Sequence, residues 1–261
     1  MSARYFRMSG IALLLLSACV EPTVTLTYDF EPPSTAEYRW EITTTTHLDS
    51  PNQETDRKVR MVVNVAETVE KSPVEGHTIL RLRLVPIEID FDGSEGRPPP
   101  ATTTALEVDR TGRVIKVLNA SNLDVGIQLD QLAAEMRPML SSRPVALGDS
   151  WEAPIKIDSD TTKLDVNGKS TLDGFSLRGR KRLARISIDR NGTATTQQNI
   201  GRARVHLKGK IDSHLSALLD IDGGRVTSVS SRSKALFDLS LEDGGRAGQL
   251  EVRVQSRLIA L

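Results

Sequence analysis

Cys19 is the residue of this chain best suited to covalent chemistry, because it is the only cysteine among 261 residues. Its thiol ends the run Leu16-Ser17-Ala18-Cys19, which follows Arg4, Arg7 and an apolar stretch over residues 10–16. Crossing a membrane takes about 20 apolar residues, so this short stretch suits the apolar region of an export signal. A lone thiol has no disulfide partner within the chain, so an exported domain must here be stabilised by its core.

The basic start, the short apolar run and the small residues before the thiol resemble a bacterial lipoprotein signal. The resemblance implies a signal peptide over residues 1–18, cleavage before Cys19 and a diacylglycerol thioether on its sulfur. Commonly an acyl group such as palmitate is added to the new amino terminus. Residues 19–23 then form a lipidated anchor and a short tether, and two or three acyl chains hold a protein stably on a membrane. An ordinary secretory signal or a membrane-spanning helix is the alternative.

The residue after the thiol bears on the compartment. In bacteria with two membranes, lipoproteins that stay in the inner membrane usually carry Asp at this position, whereas this chain has Val20. The resemblance therefore implies a cell-envelope protein that Cys19 anchors to the outer membrane. In an organism with one membrane, the same signal implies the outside of the plasma membrane.

The chain contains other residue types that support catalysis or metal binding, but their spacing does not. None of its four histidines, His47, His77, His206 and His214, is spaced as a metal-ligand pair. There is no nucleophile-elbow, zinc-protease or phosphate-loop motif. We therefore predict that the protein is not an enzyme and has no catalytic residue, metal site or cofactor.

Two Asp-x-Asp-Gly runs, at residues 90–93 and 220–223, offer oxygen ligands for calcium. A calcium loop needs more oxygen ligands and a bidentate Glu at its end, and neither run has them. Asp and Gly together are also typical of tight turns. We predict a turn at each run.

The strongest charge cluster lies at residues 178–185 and contains five basic side chains. It suits anionic lipid heads or a polyanion, but a solvated turn between strands explains the same residues and is the favoured interpretation. The whole chain has 34 basic and 34 acidic residues, and removing residues 1–18 leaves 32 basic ones. A body so close to neutral argues against a nucleic-acid partner.

The body carries an internal repeat. Its two tryptophans, Trp40 and Trp151, both precede a glutamate, and a Gly-Arg-Val sequence follows 72 and 73 positions later, at Gly112 and Gly224. Two matches in register favour a duplication. Alternating apolar residues around each Gly-Arg-Val predict a hairpin. Each Trp is in phase with core-facing neighbours, which favours a buried anchor over a ligand platform.

Alternating apolar and polar residues predict strands through most of the body, beginning with residues 24–30. The apolar phase changes at Pro86, which predicts a bulge or a sheet edge there. Asn191-Gly192 and Asp173-Gly174 carry turn chemistry. Residues 123–140 have helical spacing, interrupted by a proline.

These elements predict a mainly β fold. We expect two repeated antiparallel β-meander units, as curved sheets or a half-barrel, with one helix between them. The first unit covers residues 24–120, the helical connector residues 121–145 and the second unit residues 146–261.

The body also resembles uncharacterised bacterial lipoproteins built from a duplicated β-meander with a helical middle. The resemblance depends on Tyr38-Arg39-Trp40, the paired Gly-Arg-Val hairpins and the sequence at residues 144–151. A more remote likeness of architecture is to half-barrel lipoproteins that hold acyl chains against a concave sheet.

Three functional hypotheses follow. The first is a membrane-anchored, non-enzymatic binding or structural module whose partner is a protein or a polymer. The alternative is a half-barrel that holds a lipid or another apolar ligand. A hydrolase ranks last, because no nucleophile–base pair or metal set is visible in the sequence.

Overall fold

A computed structural model describes residues 22–51, 53–119, 137–158, 162–200, 203–241 and 245–261. These residues form thirteen strands and no helix. The strands are β1 (Ser34–Ser50), β2 (Gln53–Lys71), β3 (His77–Phe91), β4 (Ser94–Glu95), β5 (Thr102–Asp109), β6 (Val114–Asn119), β7 (Ser150–Glu152), β8 (Ile155–Asp158), β9 (Thr162–Arg178), β10 (Lys181–Ile200), β11 (Ala203–Asp220), β12 (Arg225–Leu241) and β13 (Arg246–Ala260).

All thirteen strands belong to one open, curved, antiparallel sheet. Its main path runs β6-β5-β3-β2-β1-β13-β12-β11-β10-β9-β7, with β4 beside β3 and β8 beside β9. Each half of the chain is a meander, and β13, the last strand of the second half, joins the two by pairing with β1 as well as with β12. The predicted mainly β fold with antiparallel meanders in a curved sheet is confirmed.

The core lies on one face of the sheet, as the strand register shows. Residues directly opposite each other on antiparallel strands share a face. One buried row on this face crosses six strands: Trp40, Leu258, Val229, Ala217, Ile186 and Leu172. A single core cluster contains residues of both halves, so the two meanders bury their apolar faces together.

Residues 22–30 cover one end of this core. The predicted strand over residues 24–30 is not formed, because only Val24 makes a bridge, to Val145. The alternation has a different cause: Leu26 and Tyr28 are buried, while the threonines on either side of Leu26 are exposed. Among the described residues, every member of the main core lies at position 26 or later, so a chain that begins at residue 20 contains all of these residues.

The predicted helix at residues 123–140 lies mostly outside the described residues. Its last four positions, 137–140, are irregular rather than helical. Pro138 cannot donate a helical hydrogen bond, and the Leu140 N–H donates to the Thr111 carbonyl at 2.8 Å. This stretch therefore serves as a second cover over the core.

Both Gly-Arg-Val sites form the predicted hairpins, with Gly112 between β5 and β6 and Gly224 between β11 and β12. Both glycines have positive φ, 81° and 56°. They also contact the same covering segment, since Gly112 lies against the ring of Tyr28 and the Asp29 N–H donates to the Gly224 carbonyl at 3.0 Å. The Gly-Arg-Val hairpins of the two halves thus contact two adjacent residues, Tyr28 and Asp29, of the same covering segment.

The predicted irregularity at Pro86 is confirmed. The register of β2 against β3 shifts between Val62, which faces Glu88, and Val63, which faces Pro86. Proline has no N–H for the ladder, and the extra residue on β3 restores the apolar phase.

Two predicted turns are wrong. Asn191-Gly192 lies within β10, and Asp173-Gly174 lies within β9 at a register shift. At Gly192, a side chain would overlap the backbone of β9 at Asp165. The glycine is therefore needed for the close approach of two strands rather than for a reversal of the chain.

Gly192 belongs to a diagonal of core-facing glycines that crosses the second half of the sheet. At each position a side chain would overlap a neighbouring carbonyl. The diagonal consists of Gly168, Gly192, Gly209 and Gly248. Strands bend sharply where no side chain obstructs them, so these glycines allow the sheet to curl.

Gly112→Ala is expected to destabilise the fold more than Gly76→Ala does. The two glycines have nearly the same φ, 81° and 79°, so each alanine costs about 1–2 kcal/mol of backbone strain. Only the methyl group at position 112 overlaps Tyr28, whereas Gly76 has open space around it. Overpacking adds about 1–3 kcal/mol, measurable by urea denaturation. Equal losses of unfolding free energy in the two variants would show that overlap with Tyr28 adds no cost.

Candidate functional site

Cys19, the predicted lipidation site, lies outside the described residues, but the fold begins close to it in sequence. In the part of the chain that the structure describes, the first backbone contacts are at Val24, whose N–H donates to the Val145 carbonyl at 2.8 Å and whose carbonyl accepts from Val145 at 2.9 Å. An extended chain spans at most about 3.6 Å per residue. The thiol-bearing residue is therefore within roughly 18 Å of the folded body.

Among the described residues there is no helix of the length and apolar character that a membrane crossing requires.

A cluster of rings and charges holds residues 22–30 on the sheet. The Tyr28 hydroxyl donates to the Pro138 carbonyl at 2.7 Å, and the Tyr28 and Phe30 rings stack with centroids 5.2 Å apart. The Arg137 guanidinium lies over both rings and pairs with Glu67 on the core face of β2. Burial raises the pKa of Tyr28, and the positive charge of Arg137 opposes this rise. The cluster joins three chain segments, which is a structural task.

Two adjoining cavities lie on the outer face of the sheet, across β10 to β13, and the second one also reaches Glu41 of β1. Their volumes are about 510 and 470 Å³. His214, Arg232 and Gln255 line both cavities, and they alternate with core-facing residues. The other outer-face residues of their walls are mostly polar or charged: Glu41, Asp189, Asn191, Asp212, Ser216, Ser230, Lys234, Arg253 and Arg257.

Charges of both signs alternate along these cavities. His214 Nδ1 is 2.7 Å from an Asp189 carboxylate oxygen. This nitrogen therefore contacts a carboxylate rather than the hydroxyl of a nucleophilic residue. Beside the first cavity, the Lys234 ammonium lies 3.0 Å from Glu251. That hydrogen bond, with a further one from Arg253, lowers the pKa of Glu251. Such a surface suits non-covalent recognition of polar groups.

Ser72, His77 and Glu107 come together at the start of β3, but their hydrogen bonds do not run in the order that catalysis needs. His77 Nδ1 lies 2.9 Å from a Glu107 oxygen, and the Ser72 hydroxyl donates to the same oxygen at 3.1 Å. The bond with His77 lowers the pKa of Glu107. A nucleophilic serine needs its hydroxyl bonded to the base. Here the Ser72 hydroxyl donates its hydrogen bond to the Glu107 carboxylate instead of to His77, so the serine–base contact of a nucleophilic site is not formed.

His47 also contacts a carboxylate, with its Nδ1 2.8 Å from Asp56. This bond raises the pKa of His47. His206 and His214 both lie on β11, which is separated from β1 by two strands, so they do not extend the His47–Asp56 pair into a metal site. No group of three or more metal-ligating side chains occurs within the ranges that the structure describes.

The two Asp-x-Asp-Gly runs are turns, as predicted. The Gly93 N–H donates to Asp90 at 2.7 Å, and the Gly223 N–H donates to Asp220 at 3.0 Å. Asp92 accepts the Lys58 N–H at 2.6 Å. Asp90 and Asp220 thus satisfy backbone donors of their own turns, and Asp92 satisfies a backbone donor of β2.

The basic cluster at residues 178–185 is a turn between strands, as the favoured interpretation predicts: β9 ends at Arg178 and β10 begins at Lys181. Sequence reasoning missed Phe175 and Leu177, which precede the turn and are 48% and 75% exposed. The signal that could have identified them is the position of one aromatic and one aliphatic residue directly before five basic residues. Aromatic residues make up only 4% of this chain, so one at this position is notable.

The fold defines the chain as an open, curved, antiparallel β-sheet protein. No protein-family model matches it, and no curated protein does either. Among solved structures, DynF from the dynemicin biosynthesis pathway of Micromonospora chersina is 11% identical with a TM-score of 0.26, over 98% of this chain and 92% of that one. An outer membrane channel from Pseudomonas putida F1 is 10% identical with a TM-score of 0.31, over 94% and 98%. Similarities this slight support no inference.

Proposed function

We propose that this chain is a lipid-anchored envelope protein that acts as a non-enzymatic binding module. The observation that carries the proposal is the start of the fold at Val24, five positions after Cys19. An anchor on that thiol would keep the body against the bilayer. The lipoprotein-like signal before Cys19 supports a lipid there, and Val20 supports the outer membrane in bacteria with two membranes.

The outer-face cavities support binding as the task of the body. Their walls carry charged side chains of both signs, and His214 is bonded to a carboxylate. A partner protein or polymer with polar groups fits such walls better than an apolar molecule does.

Cys19→Ser tests the anchor. The serine has no thiol to form the thioether, so we expect labelled palmitate in the wild type and none in the variant. The variant should accumulate as uncleaved precursor or appear in the soluble fraction. Both readouts come from metabolic labelling followed by fractionation of the envelope.

Val20→Asp is the matched control in a bacterium with two membranes. It leaves the thiol intact, so the label should persist while the protein moves to the inner membrane. The anchor is refuted if wild type and Cys19→Ser fractionate alike and neither takes up palmitate.

A half-barrel that holds an apolar ligand is the second candidate. It is favoured by two apolar clusters on the core-side face beyond the main core, which share Phe237. Opposite residues in register form an apolar row there: Leu48, Leu250, Phe237, Gly209, Ala194 and Leu164. A lipid that copurifies with the protein from cells, seen by native mass spectrometry, would favour this candidate over the first.

A further inference from the structure

We propose that the tip of the β9–β10 hairpin binds the surface of an anionic bilayer. This basic tip consists of Phe175, Leu177, Arg178, Arg180, Lys181, Arg182 and Arg185. The two strands are joined by a tight turn whose Gly179 has a φ of 61°.

Three of the five cations in the basic tip are available to a partner. Arg182 forms hydrogen bonds with Asp222 at 3.1 and 3.2 Å, and the Lys181 ammonium lies 3.3 Å from Asp220. The others, Arg178, Arg180 and Arg185, are exposed and form no ion pair with any residue in the described ranges. The tip therefore carries a net positive charge even after its acidic neighbours are counted.

Exposed apolar side chains lie on the opposite face of the hairpin from Arg178 and Arg185. Leu177 lies opposite Arg182 and Phe175 lies opposite Ala184, which places Phe175 and Leu177 on one face of the hairpin. Cations with exposed aromatic and aliphatic side chains are the pattern of segments that bind at the lipid headgroup boundary. An acidic soluble protein would account for the arginines but not for a leucine that is 75% exposed.

The basic tip also lies near the start of the fold. Val24 bridges Val145, and three residues later the Gly148 N–H donates to the Leu172 carbonyl of β9 at 2.8 Å. Leu177 follows five residues further along the same strand. This step rests on the proposed anchor at Cys19, which would bring this end of the body to the bilayer. The charge and exposure of the tip are independent of it.

Vesicle flotation of the unacylated chain from residue 20, which contains the main core, tests the tip without the anchor. We expect binding to phosphatidylcholine vesicles that contain about 30% phosphatidylglycerol, and none to pure phosphatidylcholine. Binding should weaken when salt rises from about 0.05 to 0.5 M, because salt screens exposed charges. Each basic residue near such a surface adds about five-fold to partitioning.

The triple variant Arg178→Gln/Arg180→Gln/Arg185→Gln should therefore bind about 100-fold more weakly. Leu177→Ser should bind about ten-fold more weakly through lost apolar contact. The matched control, Arg60→Gln/Lys208→Gln/Lys210→Gln, makes the same charge change at exposed positions elsewhere and should bind like the wild type. Far-UV circular dichroism verifies that each variant is folded.

Four outcomes would overturn the proposal. They are no binding to anionic vesicles, equal binding to neutral ones, wild-type binding by the tip variant, and equal losses in the tip and control variants. Binding to soluble polyglutamate without binding to vesicles would assign the tip to an acidic protein instead. Because no lipid is attached in this experiment, its failure is distinct from failure of the Cys19 anchor.

Discussion

Trp40→Ala is expected to lower the free energy of unfolding by about 3–5 kcal/mol, the usual cost of removing a large buried aromatic side chain. Trp40 is 1% exposed and lies between Leu258 of β13 and Val63 of β2. The void would thus open where the two halves of the sheet join. Urea denaturation followed by far-UV circular dichroism measures the loss without relying on tryptophan fluorescence.

Trp151→Ala is the matched control, because the sequence presents the two tryptophans as equivalents. Trp151 is only partly buried on the short strand β7, and its indole N–H donates to the Met139 carbonyl at 2.7 Å. We expect a loss of about half that of Trp40→Ala, from a smaller void and one hydrogen bond. If Trp151→Ala lowers the free energy of unfolding as much as Trp40→Ala does, or more, the stability of the core does not depend on the junction of β1 with β13.

Glu67→Gln is expected to cost about 3–5 kcal/mol, because it leaves the charge of Arg137 buried without its carboxylate. Glu67 is 5% exposed and faces the core side of β2. The Arg137 guanidinium is held over the Tyr28 and Phe30 rings, so it cannot turn to water without disturbing residues 22–30. Urea denaturation at neutral pH measures the effect.

The exposed pair of Arg81 and Glu70 is the control. Its two hydrogen bonds, 2.7 and 3.1 Å long, are as well formed, but exposed pairs contribute only about 0–1 kcal/mol. Glu70→Gln should therefore have little effect. The double variant Glu67→Leu/Arg137→Met should recover most of the stability lost in Glu67→Gln, since apolar groups can replace a buried pair. Equal costs for Glu67→Gln and Glu70→Gln would contradict burial as the cause.

The sequence predicts local alternation well because a half-buried strand imposes it. It therefore indicates the strands around Trp40, the hairpins at Gly112 and Gly224 and the irregularity at Pro86. It fails where one pattern has two physical causes. Residues 24–30 alternate because they cross the end of a core, and position 192 is a glycine because two strands approach closely there.

Long-range partners are a different matter, since spacing along the chain does not specify them. Nothing near Glu67 indicates that Arg137, seventy positions later, neutralises it. Each of the two cavities at His214 likewise arises from four strands brought side by side. The sequence shows the positive charge of the basic tip, but its apolar residues are recognised only from the exposure of Leu177 in the structure. Cys19 is the opposite case, a site that is indicated by sequence alone.

The position of β13 has a consequence for how the protein is made. This strand is synthesised last of the thirteen, yet it lies in the middle of the sheet between β1 and β12. Until it arrives, both neighbours present bare edges that other chains can pair with, and contacts so distant in sequence form slowly. A nascent chain is thus exposed to aggregation until its final strand emerges, and truncation there would divide the molecule at its centre.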